Sequence, residues 1–238
     1  CVKLNPDPGK EFIVRLRSKE NDAIRDIFGQ VANEFVQFNR TNPNQVNDPL
    51  WAKEHIPLAG EVYLGHLRYG TFGKNEIKNV HPVRRSSAWK TRNLLLAGNF
   101  NLTNVNELFN VLINLGQHPR DFTDTETILE NIGSFLDKEN DRLFRKFKLQ
   151  KISNKDISTL IAKHINIQKI LAESSHHWDG GYVIGGIIGH GDAFVFRDPW
   201  GIRPAYYFYN DEVAIVTSER PVIQSVFDFQ DSLLPLNA

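Results

Sequence analysis

Methionine is absent from all 238 residues and cysteine occurs once, so the chain can close no internal disulfide, which fits a reducing compartment. The missing start residue means that the beginning is either processed or trimmed. Charge of one sign is lacking too: 28 basic and 28 acidic side chains cancel, so no net field draws the chain to nucleic acid or an anionic membrane. No apolar run approaches the roughly 18 residues of a membrane span, and no basic leader precedes a signal-like segment. A cytoplasmic globular protein is expected, with ample length to bury a core at 41% hydrophobic residues.

What is present reads as strands, then helices, then strands. Phe12, Val14 and Leu16 alternate as a half-buried strand, and Ile24, Ile27, Phe28, Val31, Phe35 and Phe38 form a helical stripe expected in the core, capped by Asn21 or Asp22. Residues 39–58 read as an irregular loop. Leu94 to Ala97 form a short buried strand that runs into the polar elbow GNFNLTN, after which Asn104 opens a helix. Thr123 caps the next helix, whose apolar face is Ile128, Leu129, Ile132, Phe135 and Leu136, with Asp124 in its first turn. One further helix is read over 156–174. After Asp179, short strands with turns at Gly189 to Asp192, Asp198 to Gly201 and Asn210-Asp211 indicate an antiparallel meander. This order argues for one α+β domain of antiparallel sheets covered by helices.

Binding chemistry is concentrated in GHLRYGTFG, Gly65 to Gly73, which places an arginine and a threonine at the end of an apolar strand. Arg68 offers two parallel donors to a carboxylate, and Thr71 can add a hydroxyl to the same group. Asp124 at a helix start has an ordinary reading as a stabiliser of exposed amides. His176-His177 lacks further ligands at metal spacing, and the glycines from 180 to 191 open no helix, so neither a metal nor a dinucleotide site is expected.

Four segments, GHLRYGTFG, LAGNFNLTN, TDTE at 123–126 and RDPWGIRPAYY followed by TSER, together resemble the class II glutamine amidotransferases, enzymes of the N-terminal nucleophile hydrolase fold. The form RDPxGIRP looks most like the glutaminase domain of the amidophosphoribosyltransferase family. The resemblance implies αββα layers with the first strand and helix missing, and a single amidotransferase domain over 1–238 without the phosphoribosyltransferase domain. It also implies that Arg68 and Thr71 hold the α-carboxylate of glutamine and that Asp124 pairs with its α-ammonium. Asn99 inherits the oxyanion-donor role. Phe100 stands where the family has glycine; its main-chain amide can donate, but a left-handed φ would strain it. Arg197 and Asp198 are read as holding a turn.

The family hydrolyses glutamine to glutamate and ammonia through the thioester of an N-terminal cysteine, whose α-amine serves as the base. Cys1 takes that role only if the chain truly begins there. The opening CVKLNPDPGK differs from the family's Cys-Gly-Ile and looks like a later hairpin, so Cys1 is read as a strand residue with the nucleophile upstream. No cofactor is expected in this domain; magnesium with phosphoribosyl pyrophosphate belongs to the absent C-terminal domain. The implied partners are glutamine, a synthase or phosphoribosyltransferase domain that accepts the ammonia, and further copies in a homo-oligomer. The competing reading is a glutamine-binding or regulatory module without turnover, or the glutaminase domain of another amidotransferase.

Overall fold

The computed structural model describes residues 1–67, 77–227 and 234–235. Two helices come first, α1 (Ala23–Thr41) and α2 (Pro49–His55), then the short strand β1 (Val83–Arg85) and the long strand β2 (Leu94–Leu102). Four helices follow: α3 (Val105–Asn114), α4 (Asp124–Leu149), α5 (Asn154–His164) and α6 (Ile167–Ser175). The chain then returns to strands with β3 (Gly180–Ile188), β4 (Ala193–Arg197), β5 (Tyr206–Tyr209) and β6 (Ala214–Thr217), and ends with α7 (Arg220–Phe227) and β7 (Leu234–Pro235). One antiparallel sheet has the order β1-β2-β3-β4 and a second the order β6-β5-β7. The expected α+β class, antiparallel sheets covered by helices, is therefore observed.

Because side chains alternate across a strand, β2 builds two different interiors. Its even-numbered residues Leu94, Leu96 and Leu102 join Ile184 and Ile188 of β3 and the helical residues Ile128, Ile132, Leu136 and Ile170 in the main core. Leu95 points the other way and meets Ile187, Val2 and Ile13, with Val62 and Leu64 packed against them. Helices thus cover one face, and extended segments from residues 1–14 and 61–67 cover part of the other.

Helix α4 forms as its spacing predicts: Thr123 Oγ1 accepts the Glu126 amide at 3.1 Å, and the apolar stripe is buried, with Leu136 at 0% exposure. Each such side chain contributes on the order of 1.5–3 kcal/mol by leaving water. The helix is also fastened where β2 begins. Asn140, fully buried, donates to the carbonyls of Thr91 at 3.2 Å and Leu136 at 2.8 Å and accepts the Thr91 hydroxyl. Arg85 pairs with Glu130 at 3.1 Å and Asp137 at 2.6 Å.

Several expectations are corrected. The α1 stripe is not core: none of its residues is buried, and Phe28 is 67% exposed. Amphipathic spacing shows that a face can pack, not that this chain supplies the packing. Residues 39–58 contain α2, started by Asp48, whose carboxylate accepts the Leu50 and Trp51 amides, and by Pro49 at its first position. Near Phe12 the expected opening hairpin is present but short: Val2 bridges Ile13, Cys1 and Val14 exchange backbone hydrogen bonds, and the Lys3 amide donates to Phe12 O at 2.8 Å. Ile13 and Val14 rather than Leu16 are the buried residues. The helix expected over 156–174 is two helices, because Asn166 caps a new start by accepting the Lys169 amide at 2.9 Å. The meander is two hairpins in separate sheets. Asn104 occupies the cap position of α3, but its side chain instead grips the entry to β3, donating to His177 O at 2.7 Å and accepting from Asp179 N.

Candidate active site

The polar elbow GNFN is not a break: it continues β2, paired residue for residue with Gly181 to Ile184. The change along the strand is in its cover. Leu95 and Ala97 lie under the extended segments, whereas Asn99 on the same face is exposed. Glycine at 98 is required by the close approach of β3, since a Cβ there would stand 2.4 Å from the Val183 carbonyl oxygen. Asn99 lies opposite Val183, and Val183 opposite Arg197, so these three form a row on the face away from the helices, in which Asn99 is exposed and Val183 is buried.

Main-chain direction matters as much. The bonds Gly189 N to Asn93 O and Thr103 N to Asp179 O show that odd-numbered residues of this strand turn their polar groups toward β3. Even-numbered residues therefore face β1, which ends at the Val83–Leu96 pair. The Phe100 amide consequently points to the sheet edge beyond β1, one residue from the Asn99 carboxamide. Phe100 keeps an ordinary negative φ within the strand, so the strain that a left-handed conformation would impose does not arise. Its ring packs against the main core.

The described part of GHLRYGTFG arrives at this end of the strand. Val62 bridges Val2, Leu64 covers Gly185 opposite Ala97, and the His66 ring lies 4.6 Å from that of His81. Arg68 and Thr71, the expected carboxylate clamp, lie outside the described residues.

Asp124 is the first residue of α4, half-buried, with Oδ1 accepting the Thr125 amide at 2.7 Å. Since Asn140 and Asp141 tie α4 to Thr91 and Arg92 just before β2, the helix N-terminus points away from that anchorage. Asp124 thus belongs to the helix layer and Asn99 to the opposite face of the sheet.

Cys1 lies in extended main chain. It exchanges hydrogen bonds with Val14, its amine donating to Val14 O at 2.7 Å and its carbonyl accepting Val14 N at 3.1 Å. Its Sγ lies 3.9 Å from the Pro57 carbonyl oxygen, beneath Gly60. The thiol is therefore turned toward the 57–60 loop.

The turn RDPWGIRP is held by one buried carboxylate. Asp198, 0% exposed, accepts the amides of Ile202 at 2.8 Å, Arg203 at 3.1 Å and Tyr182 at 3.2 Å. Burial alone would raise its pKa, but these donors and the Arg197 charge outweigh it and hold the carboxyl below its usual range. Gly201 takes φ +67° at the corner, and Ile202 rests over Gly181 beside Asn101.

Sequence reasoning missed His81, which is 6% exposed and accepts the Gly98 amide on Nδ1 at 3.2 Å. A polar cleft of about 450 Å³ lies elsewhere, between β1 and α4, lined by Arg85, Arg120, Glu126 and Asp137 among others. Burial pushes the Glu126 carboxyl up. Neither Asn99, Phe100 nor Asp124 lines that cleft.

No protein-family model matches the chain. Curated relatives do: over 212 residues it is 29% identical to amidophosphoribosyltransferase of Escherichia coli, covering 86% of this chain and 37% of the relative. Over 162 residues it is 31% identical to amidophosphoribosyltransferase of Pasteurella multocida, covering 67% of this chain and 28% of the relative. A solved glutamine phosphoribosylpyrophosphate amidotransferase from B. subtilis, complexed with ADP and GMP, superposes with a TM-score of 0.48 at 24% identity, covering 68% of this chain and 28% of that one. The chain is related to the glutamine amidotransferases. More particularly, the two curated relatives just named are amidophosphoribosyltransferases, of whose length it spans well under half. A glutamine--fructose-6-phosphate aminotransferase of Sulfurisphaera tokodaii also matches, at 26% identity over 180 residues, covering 76% of this chain and 28% of the relative.

Proposed function

We propose that the chain is the glutamine-hydrolysing part of an amidophosphoribosyltransferase-like enzyme. The observation that carries this reading is the open end of β2, where the exposed Asn99 carboxamide and the edge-directed Phe100 amide stand one residue apart. Two such donors are what a tetrahedral intermediate formed from a carboxamide needs, because its oxygen gains a full negative charge as the nucleophile adds. Arg68 and Thr71 are assigned to the α-carboxylate of glutamine and Asp124 to its α-ammonium, which requires the substrate to lie at the sheet edge beyond β1, where the start of α4 and the end of β2 could both reach it. These opposite charges would fix the ends of the substrate while the side-chain amide reacts.

The geometry disfavours Cys1 as the nucleophile, because its thiol faces the Pro57 carbonyl within an extended pairing. Thiolate attack on the glutamine carboxamide expels ammonia, and water then cleaves the thioester to glutamate. The ammonia passes to phosphoribosyl pyrophosphate bound, with magnesium, by a further domain; this domain itself uses no cofactor. The protein works in the cytoplasm as a homo-oligomer.

The test is ammonia release from glutamine by the full-length protein. Arg68→Ala is expected to abolish glutamine capture with the unfolding midpoint unchanged, and Arg68→Lys to be poor, since a point charge cannot give two parallel donors. Undiminished glutamine binding by Arg68→Ala would reject the clamp.

A further inference from the structure

β1 stops at Val83, opposite Leu96, so no β1 strand partner is described for Gly98 two residues further along the edge side of β2. The Gly98 amide nevertheless has an acceptor: Nδ1 of His81, at 3.2 Å. An N–H donor requires a lone pair on Nδ1, so the ring is the neutral tautomer with its proton on Nε2. The imidazole is 6% exposed and sits between two rings, 5.6 Å from Phe100 at an interplanar angle of 24° and 4.6 Å from His66. His66 lies two residues before Arg68, and Gly98 and Phe100 flank Asn99. A single side chain therefore touches both segments that the site draws on.

We infer that His81 is a positioning residue: its acceptor replaces the missing strand partner of Gly98 and thereby sets the aim of the Asn99 carboxamide and the Phe100 amide on either side of the next peptide. This inference rests on the glutaminase reading. It assigns His81 no contact with glutamine, and its effect is confined to the geometry of the donors, where a displacement of about 1 Å can cost on the order of a hundredfold in rate.

Two variants separate the acceptor from the ring. His81→Phe keeps an aromatic plate between His66 and Phe100 but removes the acceptor; His81→Asn places Oδ1 about where Nδ1 stood. In the full-length protein, His81→Phe is expected to lower kcat for glutamine hydrolysis between about tenfold and a hundredfold, with KM changed by less than about threefold, and His81→Asn to restore most of the loss. Hydrogen exchange at the Gly98 amide is expected to quicken in His81→Phe and not in His81→Asn. Unchanged kcat in His81→Phe, or equal losses in both variants, would overturn the inference and leave His81 a filler of space. If the unsubstituted protein releases no ammonia, the glutaminase reading is what fails. The exchange measurement then decides alone, and equal Gly98 exchange in all three proteins would overturn the positioning role.

Discussion

Leu94 to Ala97 and Gly98 to Asn101 are consecutive halves of one strand, yet the first is at most 3% exposed while the second carries Asn99 and Asn101 into solvent. Both halves are fully paired to β3, so hydrogen bonding does not separate them. Cover does. Helices pack against the even face along the strand, but among the described residues Val2, Ile13 and Leu64 shield the odd face as far as Ala97. The strand thus keeps its pairing to β3 where it opens, which suits the proposed donor role, since such donors must need no rearrangement during reaction.

Substitutions in the covered half should cost stability most. Leu96→Ala, at 2% exposure in the main core, is expected to lower unfolding free energy by roughly 2–5 kcal/mol in a denaturant titration. A loss below about 1 kcal/mol would mean that helices and sheet are not packed as described.

Asp198 comes next, because Asp198→Ala leaves three inward amides without their acceptor, for an expected cost of roughly 2–4 kcal/mol. Its depressed pKa also has a direction in pH. The stability it contributes is complete above the unfolded value of about 3.9 and is lost as pH falls through the lower folded value. Asp198→Asn should therefore flatten that part of the acid limb, as thermal unfolding between pH 5 and about 2 would show.

The smallest change is expected on α1. Phe28→Gln should move stability by less than about 0.5 kcal/mol, since its ring is 67% exposed. A loss of 2 kcal/mol would show that this helix packs after all.

The contrast between α4 and α1 also explains what was legible in the sequence. Both show helical spacing of apolar residues, and both begin with a capping side chain, Thr123 and Asp22. Spacing and capping are local, so both helices could be read. Burial depends on what lies opposite, and only α4 meets a sheet. The same distinction governs the site. Asn99, Phe100 and Asp124 could be named from motifs, and the Asp198 turn from its proline and glycine. That β2 runs unbroken through GNFN depends on Gly181 to Ile184, some 80 residues later in the chain, which no local pattern reveals. His81 escaped for the same reason: its acceptor meets Gly98 from outside the strand ladder, and a histidine before a proline in a loop carries no spacing signal.

The most direct trial of the account is Asn99→Ala in the full-length protein, with glutamine hydrolysis and the unfolding midpoint measured on the same preparation. Asn99 is exposed, so stability should stay within about 0.5 kcal/mol, while loss of one oxyanion donor should lower kcat by about a hundredfold to a thousandfold. Unchanged turnover would contradict the assignment of the open end of β2 as the reacting site.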